Sequence, residues 1–321
     1  MLLAVAVWGS LLLIDTEKMS APNKGRTVLS VYTSGQATTP QMAFWKALAD
    51  GDLTFSTDVH YWKNLDDLRG LLLAGKGDIW IGHVDGFALA AMRGAPVRLV
   101  SVTGWKKFYL LSNNPELHNF SDIMTLPEET EIAVAPPQSP GLAVLRGMEK
   151  IDLPRFQYAP YDPKQLALKA MKNELELLVL PEPLVTVLLK KAPQYHIVAS
   201  VEEEYGKMAG KEARLPMAGI AINTRTLEKY PGLAEKISSA LLLQEKILIE
   251  NPELGLEALP DEFEKFIPKA MVQASLKRDI ICVRSGADAK DSVIEYLQML
   301  FPNKMVEGSS ALPETFFGAK Q

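Results

Sequence analysis

Two stretches of the sequence decide the fold: AVAPPQSPGLAVLRGM at residues 133–148 and LALKAMKNELELLVLPEP at residues 166–183. The first predicts a strand and a turn that opens a helix at Ser139 and Gly141, and the second predicts a helix and a strand that ends at Glu182. In an open α/β sheet, the carboxyl ends of the strands line the ligand crevice. A helix N-terminus attracts anions there, because its first amides lack partners and its dipole is positive. The pattern therefore favours ligand binding.

Strands and helices alternate on both sides of these stretches. Residues 27–113 predict a first α/β unit, and a second unit of the same pattern follows up to residue 201. Residues 217–223 predict a strand that returns to the first unit, and residues 226–300 predict mostly amphipathic helix. This order predicts two mostly parallel sheets with helices on both faces.

Composition limits the classes of protein to consider. A chain of 321 residues suits two lobes better than one core. A net charge of -5 argues against a nucleic-acid partner, which usually needs a basic face. The single cysteine, Cys282, excludes a disulfide within the chain, and its apolar surroundings indicate a buried side chain.

The N-terminus, residues 1–25, is interpreted as a signal-like segment. It begins with about 14 mostly apolar residues, which is short of the roughly 20 that span a bilayer. It is similar to the apolar region of a secretory signal, although no basic residue precedes it. We expect export to the periplasm, with an undefined cleavage site. A membrane tether is the alternative.

Residues that follow predicted strands are the candidates for ligand contact. They are Ser34, Gly35, Gln36, Trp62, His83 and Trp105 in the first unit, and Ser139, Gly141, Tyr161 and Glu182 in the second. Glycine permits close backbone approach, polar side chains hydrogen-bond, and tryptophan stacks on an organic ligand. Each residue has a structural alternative in a turn, a cap or packing. Glu182 favours a ligand with a donor, such as an amine, an amide or a pyrimidine.

Motifs of catalysis and metal binding are absent from the sequence. It contains no Ser-His-Asp order, no CxxC, no HExxH and no GxxxxGK[ST]. The histidines other than His83 show no metal-ligand spacing. We therefore expect no enzyme activity, no cofactor and no metal.

Four segments, in order, resemble a known family. They are GKGDIWIGHVDGFALAAMRGAPVRLVSV at 75–102, the 133–148 stretch, YDPKQLALKAMKNELELLVLPEPLVTVLLKK at 161–191, and the tail GSSALPETFF at 308–317. Together they resemble the ABC-transporter periplasmic substrate-binding proteins for nitrate, sulfonates, taurine and thiamine-pyrimidine precursors. His83 departs from the family pattern, which has a small or hydroxylic residue at that place.

The resemblance implies a two-lobed type II periplasmic-binding-protein fold. Lobe one would comprise residues 27–110 plus 216–321 and lobe two residues 111–215, with crossings near 105–113 and 213–219. The implied function is a monomeric solute receptor that closes on a small organic solute, either sulfonate-like or pyrimidine-like, and delivers it to an ABC permease and its ATPase. Two alternatives are an enzyme on the same fold, acting in thiamine-pyrimidine or menaquinone precursor synthesis, and a membrane-tethered sensory module.

Overall fold

The computed structural model describes residues 27–137, 139–265, 267–301 and 312–318. The predicted signal-like segment 1–25 lies outside the described residues, as do the first four residues of the tail motif. Within the described ranges, eleven strands form two sheets. No helix there has the length and apolar composition that crossing a membrane requires.

The strands are β1 (Val28–Thr33), β2 (Ser56–Tyr61), β3 (Ile79–His83), β4 (Val97–Gly104), β5 (Phe108–Ser112), β6 (Glu131–Val134), β7 (Gln157–Pro160), β8 (Leu177–Pro181), β9 (His196–Ser200), β10 (Ala218–Asn223) and β11 (Arg284–Ser285). The α-helices are α1 (Thr39–Ala49), α2 (Leu65–Leu73), α3 (Val84–Ala91), α4 (Phe120–Ile123), α5 (Pro140–Glu149), α6 (Pro163–Met171), α7 (Leu184–Lys191), α8 (Val201–Ala209), α9 (Thr224–Lys229), α10 (Leu233–Glu250), α11 (Glu253–Ala258), α12 (Lys269–Ser275) and α13 (Lys290–Leu300).

In each sheet one strand is inserted in the opposite direction to its neighbours, and in the first sheet the short strand β11 is also antiparallel to β4. The strand orders of the two sheets are β11-β4-β10-β3-β1-β2 and β7-β6-β8-β5-β9. β10 is antiparallel to both of its neighbours, and so is β5. Each of these two strands enters its sheet from the other lobe and runs away from the interface, whereas the parallel strands end at the interface. The predicted two-lobed α/β fold is confirmed, but the prediction of mostly parallel sheets is wrong, because the strands that arrive from the other lobe make both sheets mixed.

Two short crossings join the lobes. Residues 105–107, named here the first crossing, connect β4 to β5, and residues 210–217 connect α8 to β10. The crossings are hydrogen-bonded to each other, because the Leu215 N–H donates to the Trp105 carbonyl at 2.9 Å and the Met217 N–H to the Gly104 carbonyl at 2.9 Å. The predicted limit of lobe one at residue 110 falls inside β5, which pairs wholly within the second sheet. The apolar run that forms β5 carries no signal for which sheet it joins.

Each face of each sheet has its own apolar core. α1, α10 and α11 cover one face of the first sheet, and α2 and α3 cover the other. α5 and α8 cover one face of the second sheet, and α6 and α7 the other. α13 contributes to a core in each lobe, through Val293 and Leu297 in the first and Tyr296 in the second. The packing of α13 therefore joins the two lobes in addition to the crossings.

The Gly-Lys-Gly-Asp segment before β3 has a structural role. Asp78 accepts hydrogen bonds from the Ser30 N–H at 2.9 Å, the Ser30 hydroxyl at 2.8 Å and the Thr226 hydroxyl at 2.6 Å. Burial raises the pKa of this carboxyl, but the hydrogen bonds from Thr226 and Ser30 outweigh burial and lower the pKa below its usual value. Gly77 has φ +108°, and a Cβ there would lie 2.6 Å from the Tyr32 ring. This part of the family-like pattern therefore stabilises the sheet.

Candidate functional site

The loop after β1 is shaped by a buried glutamine. Gln41 accepts from the Thr33 hydroxyl at 2.6 Å and from the Trp45 indole at 3.3 Å, and its amide donates to the Gln36 carbonyl at 2.6 Å. Gly35 supplies the positive φ, +68°, that the turn needs. Three of the predicted residues, Ser34 to Gln36, thus lie in a loop that the hydrogen bonds of Gln41 hold in place. The Gln36 side chain is exposed.

Two helices begin beside the first crossing, one from each lobe. A Cβ on Gly104 would lie 2.8 Å from the Pro40 ring at the start of α1, and a Cβ on Gly141 in α5 would lie 2.6 Å from the Phe108 ring. Four residues of extended chain span at most about 14 Å. Since Gly104 and Phe108 flank the crossing, the N-terminus of α1 and that of α5 each lie beside it.

The hydroxyls at these two helix starts are buried without partners. Ser139, the N-cap of α5, is 5% exposed, and Thr39, in the first turn of α1, is 6% exposed. In the described part of the chain, neither hydroxyl oxygen has a hydrogen-bond partner. An unsatisfied buried polar group costs about 1–3 kcal/mol. The two hydroxyls are therefore candidates for contact with a bound group.

His83 and Trp62 lie on the same wall of lobe one. The Trp62 indole donates to the Ile81 carbonyl at 3.2 Å, and its ring meets the His83 imidazole edge-on at 6.3 Å. His83 pairs with Ala218 of β10, which pairs on its other side with Gly104. Strands lie about 4.8 Å apart, so His83 is roughly 10 Å from the first crossing. The His83 Nδ1 atom is buried, and no described residue bonds to it.

Trp105 and Tyr161 follow their strands as predicted, and their contacts are those of packing. Trp105 is 4% exposed, and its indole donates to the Cys282 carbonyl at 3.0 Å. Cys282 is buried, as expected. Tyr161 follows the edge strand β7, is half-buried, and has the Lys169 ammonium 5.8 Å from its ring centre. The contacts of both residues fit the structural alternative considered from the sequence.

Glu182 is engaged in an ion pair between the lobes. Its carboxylate accepts from Arg278 Nε at 2.6 Å, from the Thr186 N–H at 3.1 Å and from the Thr186 hydroxyl at 2.9 Å. Nearby, Lys107 Nζ contacts Asp279 at 2.5 Å. The segment around residue 278 thus reaches from lobe one to α7, and we name the Glu182–Arg278 pair the latch. With these partners, the Glu182 side chain fits its structural alternative better than a ligand contact.

Two residues near the crossing, Thr39 and Glu202, are not among those predicted from the sequence. Thr39 lies in a Thr-Thr-Pro sequence, which reads as an ordinary helix start. Glu202 lies in a run of three glutamates, which reads as a solvated first turn, yet it is fully buried. Burial raises the pKa of its carboxyl to about 7 against the hydrogen bonds that lower it. Only the packing of α8 on the crossing reveals this burial.

The described residues contain no group of three or more His, Cys, Asp or Glu side chains able to hold a metal ion. The structure places one hydroxyl at each of the two helix starts beside the first crossing, and the His83 imidazole next to the Trp62 indole in lobe one. Such a set can bind a polar group and cover an organic body.

Comparison with solved structures identifies the class of fold. A crystal structure of an ABC transporter from Parabacteroides distasonis is 20% identical and has a TM-score of 0.70, with 92% of this chain and 99% of that chain covered. The periplasmic aliphatic sulphonate binding protein SsuA from Escherichia coli is 11% identical, with 92% and 93% covered and a TM-score of 0.67. The periplasmic nitrate-binding protein NrtA from Synechocystis is 12% identical, with 89% and 84% covered and a TM-score of 0.63.

No protein-family model and no curated protein sequence matches the chain. The structural likeness is nevertheless nearly full-length. The chain has the two-lobed fold of these periplasmic binding proteins, which confirms at the level of the fold the resemblance found in the sequence.

Proposed function

We propose that the protein is the extracytoplasmic receptor of an ABC importer, and that it captures a small organic solute between its lobes. The observation that carries the proposal is a pair of buried hydroxyls at the starts of α1 and α5, Thr39 and Ser139, one from each lobe, for which the described residues supply no hydrogen-bond partner. A ligand between them would touch both lobes at once. The nearly full-length likeness to periplasmic binding proteins supports the same function.

The chemistry of the walls favours a solute with a polar or anionic head. Helix N-termini attract negative charge, and α1 and α5 are long enough to carry a dipole. The Thr39 and Ser139 hydroxyls would donate to the head, and His83 Nδ1 would give or receive one further hydrogen bond. Trp62 would cover an apolar or aromatic body, which suits a sulfonate or a pyrimidine better than a bare inorganic ion.

Capture would proceed by hinge closure. The first crossing is three residues long, so small backbone rotations within it change the angle between the lobes. A ligand that contacts both walls only in the closed state shifts the population toward closure. The closed form would then dock on a membrane permease and its ATPase. Periplasmic location and a monomeric state belong to the same proposal.

Thermal-shift screening tests the function. The panel contains alkanesulfonates, taurine, nitrate, bicarbonate, pyrimidines and polyamines. A ligand at a hundred times its Kd should stabilise the fold by about 2.7 kcal/mol and raise Tm accordingly. The ligand should be recovered unchanged, since recovery of a converted product would instead indicate an enzyme. A panel without any Tm increase would contradict the proposed ligand classes.

Three substitutions test the site. Ser139→Ala and Thr39→Val should each abolish most of the ligand-induced shift while leaving the ligand-free Tm within a few degrees, because each removes a hydroxyl that has no partner among the described residues. Trp62→Ala should weaken organic ligands more than nitrate. Ser121→Ala, on an exposed helix, is the control. Wild-type shifts in both hydroxyl variants would refute the site.

A further inference from the structure

The Glu202 side chain binds the backbone at the end of the first crossing. It lies in the first turn of α8 and is 0% exposed. One carboxylate oxygen, Oε1, accepts from the Lys107 N–H at 2.7 Å and from the Phe108 N–H at 2.8 Å. These are the amides at the point where the chain enters lobe two. A single side-chain oxygen therefore fixes the last residue of the crossing and the first residue of β5.

The second oxygen of this carboxylate is left without a bond. Neither Glu202 Oε2 nor the Tyr296 hydroxyl has a hydrogen-bond partner within the described ranges, and both are buried. Tyr296 belongs to α13, which packs against both lobes. A buried carboxylate with one idle oxygen is poorly compensated for the loss of water. The site can therefore accept a proton without breaking any bond at Oε2.

Charged and titratable groups approach Glu202 from several elements. Lys106 of the first crossing lies nearby and is itself paired with the exposed Glu203. Burial and the Glu202 charge raise the pKa values of Tyr109 in β5 and Tyr296 in α13. The charge of Asp85 in α3 also raises the pKa of Tyr296. On α5, which packs against α8, the charged side chains Arg146 and Glu149 pair with each other. The Lys106 ammonium favours the ionised form of Glu202, and it is shared with Glu203.

We propose that Glu202 is a proton-sensitive tether of the hinge, which holds the first crossing firmly when ionised and loosely when protonated. A hydrogen bond to a charged acceptor is stronger than one to a neutral acceptor, and here both bonds to the crossing change together. Burial places the pKa of the carboxyl at about 7, so the change of state falls in the neutral range.

The consequence for ligand capture rests on the proposed function. If the lobes close about the first crossing, a proton on Glu202 changes the freedom of the segment that must bend. Ligand affinity then varies with pH even for a ligand that carries no titratable group. The tether itself is a property of the ligand-free protein and does not depend on the solute.

Amide hydrogen exchange on the ligand-free full-length protein tests the tether. Between about pH 8 and about pH 6, protection factors corrected for intrinsic exchange should fall about fivefold at Lys107 and at Phe108. The Ala135 amide, which donates to the Val179 carbonyl at 3.1 Å, is the control and should not change. Unchanged protection at Lys107 and Phe108 would overturn the proposal, and this series needs no variant.

Two further measurements complete the test. In Glu202→Gln, protection at Lys107 should stay at the low value throughout the range, and a retained pH dependence would overturn the proposal. The side-chain carboxyl carbon of Glu202, followed by NMR, should titrate with the same midpoint as the protection factors, and a different midpoint would overturn it as well. If these results hold and ligand Kd does not vary with pH, the link to capture fails. If no ligand is found at all, only the proposed function fails.

Discussion

The burial of Glu202 predicts how the stability of the fold depends on pH. Ionisation of Glu202 should lower the free energy of unfolding, although it strengthens the hydrogen bonds to the first crossing. The folded-state pKa is raised from 4.5 to about 7 by burial. The folded protein therefore binds more protons than the unfolded chain between these two values. The stability contributed by this group is fully present below about pH 4.5 and is lost as pH rises through about 7.

The size of the effect follows from the shift. At 1.36 kcal/mol per pKa unit, ionisation of Glu202 removes about 3 kcal/mol from the free energy of unfolding. No discount for solvent screening applies, because the side chain is fully buried. Glu202→Gln carries no charge at any pH, so the wild type should lose about 3 kcal/mol relative to the variant between about pH 5 and about pH 8.

Urea unfolding at several pH values measures this difference directly. The comparison uses the slope with pH, because the glutamine amide adds a constant offset wherever it bonds. Glu212→Gln is the control of the same chemistry, since the Glu212 side chain is 76% exposed, and it should leave the slope unchanged. If the wild type and Glu202→Gln show parallel pH profiles, the reasoning from burial is refuted.

Three further substitutions probe other contacts, each by urea unfolding at pH 7. Asp78→Asn should lower the free energy of unfolding by about 2–4 kcal/mol, because it removes the charge on which three hydrogen bonds converge, and the wild type should lose this contribution as pH falls through the lowered pKa. Glu182→Gln should cost about 3 kcal/mol, because it leaves Arg278 without its counter-charge, and an unchanged midpoint would show that the latch contributes nothing. Gly141→Ala should cost about 1–3 kcal/mol through its clash with Phe108, and Phe108→Leu should recover part of that loss.

Each of these variants has a control of the same chemistry at an exposed place. Asp66→Asn and Glu174→Gln alter carboxylates that are largely open to water, so each should change stability by less than about 1 kcal/mol. Gly70→Ala lies within α2 with nothing near the new methyl group, so it should not destabilise the protein. A control that loses as much stability as its test variant would contradict the assigned contact.

The sequence predicts the fold well, because the fold depends on repeated local signals. Alternation of apolar strands with amphipathic helices predicts both lobes, and the returning strand, predicted at 217–223, is β10 (Ala218–Asn223). The helix start at Ser139 is also placed correctly. Strand direction and sheet membership are less local. β5 is predicted as a strand, but its place in the second sheet depends on pairing with residues far along the chain.

The site is harder to predict, because similar residues at strand ends serve different purposes. Ser139 and Glu182 both follow strands of lobe two, yet the serine hydroxyl has no partner among the described residues while the carboxylate is held by Arg278. No pattern near residue 182 announces a partner 96 positions away. Glu202 is the opposite case. Three consecutive glutamates indicate side chains exposed to solvent, yet Glu202 is buried where it bonds to the first crossing.

The position of β10 between β3 and β4 has a consequence for biosynthesis. All five strands of the second sheet lie between residues 108 and 200, so the ribosome completes that sheet before the first one. β3 and β4 both pair with β10, which is made later, at Ala218–Asn223. Until β10 has been synthesised, neither strand has this partner. Chains interrupted before residue 218 leave β3 open on one side and β4 without either of its pairing strands, and open strand edges are templates for pairing with other chains. These edges stay open while the more than one hundred codons between β4 and β10 are translated.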